Sequence, residues 1–577
     1  MRFARAWLPC VPRREPRTRR CPTLGKAAHA LGACLLLSIA PGLRAQEAPV
    51  RLPTPKEPAA SGQASLAAQA RSGLPAPEGF RQYVVQGKLT LTLEAAIRLA
   101  LANNTDVRID LGPIDTARNG IESASARFDP SVTSSFDATR SISPSYTQLA
   151  GAPTVSSLNQ NANVGFSETL ESGTSVQASV SANKASSNSV FNFINPSISG
   201  GVNLSFTQPL LAGRGFFVNR APIAIAQRNL NQARDNFEAE INGIIQGVVT
   251  GYWSVVGARE NLAVQKKSLA EAQQSYDRDK RSLELGALSP LDIYSSQSQV
   301  ASDRVAVIQA QYALMEAEDG FRNAIGADLD PAIRALDLDL TDNPEPTGTL
   351  MAIDFPTALE KALANRPEVA ALREQLLNDE TSLRLAHNGL LPNLSLTGTV
   401  SGSGVTGDEF NTAVTPPVLV ASGGFGDALH QAFGFGSPTY GGGFRLTLPL
   451  RNRAAHAALG NALVSQRTDL YSERSLRQTI TLGVANAVHN LEGSKLSMEA
   501  AKIAYNLAQK NLEAQQRKYE LGAGEIQFVL QAQTQVAQAE QSEVNSEIGY
   551  QNAVTSVEYA TGDLLARYQV QIEALAR

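Results

Sequence analysis

Apolar residues recur at heptad spacing along two long stretches of the chain. In the first stretch they are three, four or seven residues apart: Ile241, Ile245, Val248, Tyr252, Val255, Leu262, Leu269, Tyr276 and Leu283. The second stretch has the same phase: Val484, Val488, Leu491, Met498, Tyr505, Leu512 and Tyr519. This spacing predicts long helices with a narrow apolar face, one over 221–285 and one through 484–519. Returning helices are predicted over 290–325 and 526–562.

The two helical hairpins belong to a longer internal repeat. Leu91–Asn104 is similar to Ile353–Arg366, and these segments open short helices predicted near 92–126 and 355–389. Gly112-Pro113 should break the first short helix. The sequence Glu-Leu-Gly-Ala follows both long helices, and its glycine is expected to cap the helix C-terminus. We therefore predict two halves, 89–340 and 341–565, followed by a tail over 566–577.

Between the short and the long helix of each half lie polar segments in which apolar and polar residues alternate strictly. The clear cases are Ser175–Asn183, Ser197–Phe206, Asn393–Val400 and Thr439–Leu448, and weaker ones surround Val132 and lie at 162–170. Segments of about ten residues with one apolar and one polar face are typical of transmembrane barrel strands. A soluble β-sandwich is the alternative, but it would direct the polar faces into a core. Strands are thus predicted within 131–208, 393–401 and 439–448.

The number of strands predicts an assembly. Four or six strands cannot close a barrel alone, because about eight is the usual minimum. Three chains would supply 12 strands at four each or 18 at six each. Glu171-Ser172-Gly173 is predicted as a tight turn, whereas 141–160, 185–196 and 402–438 are predicted as long loops. In outer-membrane barrels, short turns face the periplasm and long loops face outward.

The composition predicts the cellular compartment of the protein and excludes several functions. Residues 1–45 have a basic start, an apolar stretch and a cleavage site, which together predict a signal peptide. All three cysteines lie within that segment, so the mature chain would have none. Residues 46–88 are rich in Pro and Ala and are predicted to be a disordered or extended leader. The net charge of −4 indicates no nucleic-acid surface.

The chain shows no pattern of an enzyme. The histidines lack metal-ligand spacing, and neither a catalytic triad nor a phosphate-binding loop is present in the sequence. No segment after residue 45 is long and apolar enough for a membrane-spanning helix. We therefore expect no catalytic, cofactor-binding or metal-binding residues.

These segments resemble the outer-membrane efflux proteins of the TolC family. The likeness covers about 89–565 and rests on both opening helices, both glycine tips and the strand exits Thr207–Leu210 and Thr447–Leu450. It implies a mixed α/β membrane protein: a homotrimer with one shared β-barrel in the outer membrane and a helical tunnel in the periplasm. It further implies a passive conduit that docks on a periplasmic adaptor and an inner-membrane efflux pump or ABC exporter, as in tripartite efflux or type I secretion.

The resemblance also indicates a docking surface at the helical tips. The corresponding residues are Leu285, Gly286, Ala287, Leu521, Gly522 and Ala523, with Arg281 and Arg517 each five positions before the glycine. A purely structural role is the alternative. The glycines would then only turn the chain, and each arginine would be a solvated charge that the helix dipole favours.

A periplasmic gate is implied close to the tips, at Asp292, Phe528 and Gln531. Family members carry an acid six residues past the tip glycine, which Asp292 matches in the first half. In the second half Phe528 replaces that acid, and Gly524 stands where a basic residue is expected. An ionic lock is therefore incomplete, and we expect an aromatic constriction at Phe528 instead.

The first half departs from the family pattern by about one extra strand pair, near 162–184. The family expects two strands per half, and an 18-stranded ring would fit poorly on a 12-helix tunnel. We therefore expect four spanning strands and an additional hairpin. The alternative function is a trimeric surface stalk or adhesin with a β-barrel anchor, which protease accessibility on whole cells would separate from a periplasmic tunnel.

Phe528→Ala should raise the single-channel conductance, because it removes the aromatic ring predicted to narrow the periplasmic entrance. Planar-bilayer recordings of the purified protein would measure the change. An unchanged conductance would argue against a constriction at Phe528.

Overall fold

Two very long helices dominate the part of the chain that the computed structural model describes: residues 77–145, 153–189, 192–286, 289, 292–346, 348–411, 414 and 418–570. The helices are α1 Leu93–Asn103, α2 Thr105–Asp110, α3 Gly112–Ser125, α4 Phe216–Glu284, α5 Asp292–Ala324, α6 Pro331–Arg334, α7 Phe355–Asn365, α8 Pro367–Gly389, α9 Phe425–Phe433, α10 Arg453–Glu520, α11 Ile526–Thr561 and α12 Leu564–Arg567. The predicted signal peptide lies outside the described residues.

The long helices match the heptad prediction closely. α4 has 69 residues and α10 has 68, and each is about 100 Å long. Each is followed by a shorter returning helix, α5 or α11, that packs along it. The first-half heptad residues from Ile241 to Leu262 are buried, as are Val484, Val488 and Leu491 of the second half. No described helix is long and apolar enough to cross a membrane.

The first short helix breaks next to Gly112-Pro113, as predicted, and both short helix segments also break at places that were not predicted. The first segment is interrupted at Asn104 and Leu111, and Gly112-Pro113 begins α3 instead of ending a helix. Proline suits this position because the first residues of a helix need no N–H donor. Asn104 caps the helix after it, with its side-chain oxygen 2.7 Å from the N–H of Asp106. In the second half the break falls at Arg366, directly before Pro367.

The strands form two sheets. The strands are β1 Val84–Val85, β2 Lys88–Leu91, β3 Ser131–Pro144, β4 Thr154–Thr169, β5 Ser175–Ser187, β6 Ile194–Pro209, β7 Asp337–Leu340, β8 Asn393–Asn411, β9 Val418–Ala421 and β10 Pro438–Thr447. The large sheet has the order β10-β8-β6-β5-β4-β3, with β9 paired to β8, and all its pairs are antiparallel. The small sheet is β1-β2-β7.

The strand pair that was expected as an additional hairpin is β4–β5, and it lies inside the large sheet. β4 pairs with β3 and β5 pairs with β6, so the pair separates two strands that would otherwise be neighbours. The expected additional hairpin is therefore present, and it pairs with a strand on each side within the sheet. Local alternation identified the strands but carried no information on their order.

The predicted long loop over 402–438 is also wrong in its first and middle parts. β8 continues to Asn411, and α9 lies across β8 and β6. Three glycines in the strands make this close packing possible: Gly200, Gly402 and Gly404. A Cβ atom at Gly404 would lie 2.2 Å from the carbonyl oxygen of Ala428, and one at Gly402 would lie 2.1 Å from that of Ala432. Glycines in this segment therefore serve helix–strand contact as well as turns.

Both predicted terminal segments are partly folded. The leader was expected to be disordered or extended through residue 88, but Phe80 is buried in the core and β2 begins at Lys88. β2 pairs in parallel with β7, which closes the first half upon itself. Near the other end, α12 continues to Arg567, and Tyr568 and Val570 of the predicted tail pack against the same core. Burial of a few apolar side chains thus orders segments whose composition indicated loops.

Tyr252 stands at the centre of this core. Its side chain is fully buried, with edge-to-face contacts to Trp253 at 5.4 Å and Phe321 at 5.9 Å between ring centroids. Its hydroxyl donates to Asp342 Oδ2 at 2.9 Å and accepts from the Asp342 N–H at 3.2 Å. The N–H of Leu93 donates to the same carboxylate oxygen at 2.7 Å. This network joins α4 to the start of α1 and to the chain after β7.

Tyr252→Phe should lower stability by about 1–2 kcal/mol, because it removes a buried hydroxyl and leaves the Asp342 groups short of a partner. Thermal unfolding of the detergent-solubilised protein, followed by far-ultraviolet circular dichroism, measures the effect. Tyr471→Phe is the matched control, since the Tyr471 side chain is largely exposed. Equal melting temperatures for the two variants would contradict a structural role for the Tyr252 hydroxyl.

Candidate docking and gating site at the helical tips

The two tips have nearly identical backbone geometry. In the first, the N–H of Leu285 donates to Arg281 O at 3.1 Å, and Gly286 has a φ of 76°. In the second, the N–H of Leu521 donates to Arg517 O at 3.1 Å, and Gly522 has a φ of 72°. A positive φ is readily adopted only by glycine. The glycine in both copies of the repeated Glu-Leu-Gly-Ala sequence is therefore required by the backbone conformation of the tips.

Each tip presents one large apolar side chain to solvent. Leu285 and Leu521 are both 84% exposed. Ala523 continues the second turn, where its N–H donates to Lys518 O at 3.0 Å. Ala287 lies outside the described residues. An exposed leucine on a rigid glycine turn is a suitable contact for a partner protein, because burying it would release apolar surface from water.

The two tip arginines are exposed on the last turns of their helices. Arg517 forms an ion pair with Glu513 one turn earlier on α10. Such a pair between exposed side chains contributes little to stability. Arg281 holds the equivalent position on α4. Both are placed where the negative end of the helix dipole favours a positive charge, which agrees with the structural alternative as well as with docking.

The predicted gate residues lie at the starts of the returning helices. Asp292 is the first residue of α5. Phe528 is 51% exposed, and Gln531, about one turn later on α11, is also exposed. The neighbours Ile526, Val529 and Leu530 are buried against Leu512 and Tyr519 of α10. α11 is therefore held by one face and presents Phe528 and Gln531 on another.

A buried polar group that the sequence analysis missed joins the two hairpins. Asp279 of α4 is completely buried and accepts a hydrogen bond from the hydroxyl of Ser296 on α5. The hydroxyl of Tyr519 on α10 donates to Asp279 Oδ1 at 3.3 Å. Nearby, Gln533 of α11 donates to Ser275 of α4 at 3.2 Å. Asp279 therefore contacts both its own hairpin and the other one.

Arg278 completes this junction. Its guanidinium lies 5.3 Å from the centre of the Tyr519 ring, and its Nε is 4.0 Å from Asp279 Oδ1. A buried carboxylate is costly unless it is hydrogen-bonded and close to a positive charge, and this arrangement supplies both. No clear sequence signal marked this residue, because the heptad phase places its position between Tyr276 and Leu283 at Lys280, and Asp279 lies beside it.

The described residues contain no group of three or more His, Cys, Asp or Glu side chains placed to hold a metal ion. The features gathered at this end of the hairpins are mechanical: two exposed leucines, two glycine turns, an exposed aromatic ring and a buried polar junction.

A family model described as outer membrane efflux protein matches residues 173–327 and 358–563, which is more than half of the chain. The chain belongs to the outer membrane efflux protein family. This membership places it in the outer membrane. It confirms the resemblance that the tips and opening helices indicated.

Curated relatives share this assignment at low identity. The outer membrane protein TolC of Escherichia coli strain K12 is 23% identical over 334 residues, which is 57% of this chain and 63% of that protein. TolC of Vibrio cholerae is 22% identical over 377 residues, covering 65% of this chain and 79% of the relative. The chain thus spans a little under two thirds of the length of the Escherichia coli protein.

Solved structures have the same fold. The outer-membrane channel OprN superposes with a TM-score of 0.60 at 16% identity, covering 85% of this chain and 93% of OprN. The outer-membrane channel CmeC of Campylobacter jejuni superposes with a TM-score of 0.57 at 17% identity, covering 85% and 94%. The helical and sheet architecture is therefore that of outer-membrane channels.

Tyr519→Phe should raise single-channel conductance, because it removes the hydroxyl bonded to Asp279 while keeping the ring beside Arg278. The two hairpins would then separate more readily at their tips. Recordings in planar bilayers measure the change, with Tyr471→Phe on the exposed side of α10 as the control. Identical conductance in both variants would show that the Tyr519–Asp279 contact does not restrain the channel.

Proposed function

We propose that three copies of this chain form one passive conduit from the periplasm to the outside of the cell. Its strands would close a single barrel in the outer membrane, and its helices would form a tunnel in the periplasm. The tunnel tips would dock on a periplasmic adaptor, and an inner-membrane efflux pump or ABC exporter would supply cargo and energy. The carrying observation is the large sheet, which is open at both edges and exposes one apolar face.

The sheet edges require partners. Every residue of β3 and of β10 is exposed, and these strands form the two ends of the sheet. Long unpaired edges expose backbone N–H and C=O groups, which in lipid must all be hydrogen-bonded. Pairing β3 of one copy with β10 of the next would satisfy them. A closed ring of copies is the arrangement that leaves no edge.

The two faces of the sheet assign its inside and outside. Val132, Phe136, Val164, Leu204 and Phe444 lie on the same face and are exposed. The opposite face consists largely of Ser, Thr, Asn and Gln. Outer-membrane barrels turn the apolar face to lipid and the polar face to a water-filled interior. The interior would therefore suit polar solutes without strong selection by charge.

The helices also expose apolar stripes that the single chain does not cover. On α5 the stripe contains Val305, Ile308, Tyr312 and Met315, and on α10 it contains Leu482, Leu496, Ile503 and Leu507. Steps of three, four, seven and fourteen keep each set on one helix face. Helices of a neighbouring copy would bury these stripes. The stripes and the open strand edges therefore support the same partners, a second and a third copy of this chain.

The connections favour a periplasmic tunnel over a surface stalk. β3 and β8 begin, and β6 and β10 end, at the side of the sheet where α3, α4, α8 and α10 are attached. All long helices therefore leave the sheet on one side. The tight turn Glu171-Ser172-Gly173 lies on this same side, and short turns face the periplasm in outer-membrane barrels, whereas a stalk or adhesin would place the helices outside the cell. Cleavage of the helices by protease added to intact cells would favour the stalk, and protection would favour the tunnel.

Leu521→Asp should abolish export while leaving the channel assembled. A carboxylate at this exposed tip would have to be desolvated when an adaptor covers it, which costs several kcal/mol unless it is paired. The minimum inhibitory concentrations of a panel of toxic compounds would fall in a strain carrying this variant, and a photo-crosslinking probe at the exposed neighbouring position Glu520 would lose its periplasmic partner.

Leu521→Met is the matched control for this test, because it keeps an apolar side chain of similar volume. It should retain both export and crosslinking. Trimers of Leu521→Asp on native gels would show that assembly is intact. Full export by the Leu521→Asp variant would contradict docking through this tip.

A further inference from the structure

We infer that each copy contributes six strands to the barrel wall, so that three copies form an 18-stranded pore above a tunnel of only twelve helices. This inference rests on the proposed trimeric conduit and adds the architecture of its exit. A wide exit would place the size limit for cargo at the helical end and leave the outer-membrane end permissive for bulky solutes.

The first support is the unbroken pairing of the β4–β5 hairpin with its neighbours. Ser131–Pro144 of β3 pairs residue by residue with Thr154–Ser167 of β4, without a register shift. β4 then pairs with β5, and β5 pairs with β6 from Ser175 to Ala185. The hairpin therefore runs the depth of the sheet beside the other strands.

The second support is that the hairpin continues both faces of the sheet. Val164, Phe166, Val176 and Val180 extend the apolar face, while the polar face continues through asparagine and serine. On the polar face, Asn161 donates to Asp137 Oδ2 at 2.9 Å, and Asn183 donates to Asn161. These bonds link β3, β4 and β5 in one row. A hairpin projecting into water would have no use for an exposed apolar face.

The third support is the position of the turn between β4 and β5. The N–H of Gly215, just before α4, donates to Ser172 O at 3.1 Å, and Arg220 of α4 pairs with Glu171. Gly173 has a φ of 89°, and a Cβ atom there would lie 2.7 Å from Gly213 O. The turn is therefore held at the base of the sheet, where the helices begin. A hairpin anchored there cannot project from the external end.

This turn also accounts for how 18 strands can stand on twelve helices. β3, β6, β8 and β10 each continue into a helix, whereas β4 and β5 are joined only to each other at the base. The hairpin thus adds two strands per copy and no helix. Because barrel diameter grows roughly linearly with strand number, the 18-stranded exit would be about one and a half times as wide as a 12-stranded one.

Cysteine accessibility tests the placement of the hairpin, because the only cysteines of the chain lie in residues 1–45. Single variants Asn163→Cys and Ser179→Cys report the polar face, and Val164→Cys and Val180→Cys report the apolar face. Asn203→Cys and Val202→Cys on β6 are matched controls. In outer-membrane vesicles, a charged maleimide should label the polar positions and leave the apolar positions at the low level of Val202→Cys.

Labelling of Val164→Cys and Val180→Cys as strongly as Asn163→Cys, with Val202→Cys still protected, would place the hairpin outside the lipid-facing wall and overturn the inference. Strong labelling of Val202→Cys itself would instead contradict the proposed barrel. So would a wild-type protein that forms no trimers. The two failures are therefore distinguishable.

Deletion of residues 154–187 tests the size of the exit. The deletion would join β3 directly to β6 as an antiparallel pair, leaving four strands per copy. Polyethylene glycols of graded size, added only at the external side of a planar bilayer, should be excluded from the variant at about two thirds of the diameter found for the wild type. An equal cut-off in both proteins would overturn the inference. If the variant fails to assemble, the cysteine labelling decides.

Discussion

The backbone hydrogen bonds left open at β3 and β10 are the constraint on which the rest of the molecule depends. Water can satisfy these groups, but lipid cannot, and the exposed apolar face of the sheet is unsuited to water. A single copy therefore cannot be stable in either medium with its edges unpaired. The same incompleteness appears on α5 and α10, whose outer apolar stripes lack a cover. Strands and helices both support the trimer of the proposed function.

The junction between sheet and helices links the packing of the strands to the packing of the helices. Each of four strands continues into a helix, so the positions of the strands in a closed ring also set the positions of the helices below. The β4–β5 turn occupies the space between these connections through its contacts with the start of α4. Widening the sheet in this way leaves the helical packing around Tyr252 unchanged, because the added strands end at the junction.

The opposite end of the hairpins is built for a different task. The glycine turns at Gly286 and Gly522 hold exposed leucines rigidly, while the inner contacts are polar and centred on Asp279. Hydrogen bonds to a buried carboxylate are directional, so a small shift of α10 would break them at once, whereas an apolar contact would weaken gradually. Such a junction would suit the gate that the proposed function places at this end of the molecule.

Much of this architecture could be predicted from the sequence, because periodicity is a local property. Heptad spacing predicted α4 to within a few residues and located the second half of α10, alternation identified most of the strands and their two faces, and the paired glycines located both tips. The predicted signal peptide, which contains all three cysteines, indicated the compartment. The repeated sequence segments indicated the family. Each of these signals lies within a few turns or one strand of chain, where the spacing of side chains alone determines which face they share.

Tertiary structure alone decided the partners of these elements. The insertion of β4–β5 between β3 and β6, the packing of α9 on Gly402 and Gly404, and the burial of Phe80 all depend on residues distant in the chain. The contact between Tyr519 and Asp279 joins residues 240 positions apart. Alternation specifies the two faces of a strand but not its neighbour, because any strand with matching faces can offer the same hydrogen bonds. Neighbours are chosen by turns, anchors and close packing, which exist only in the folded chain.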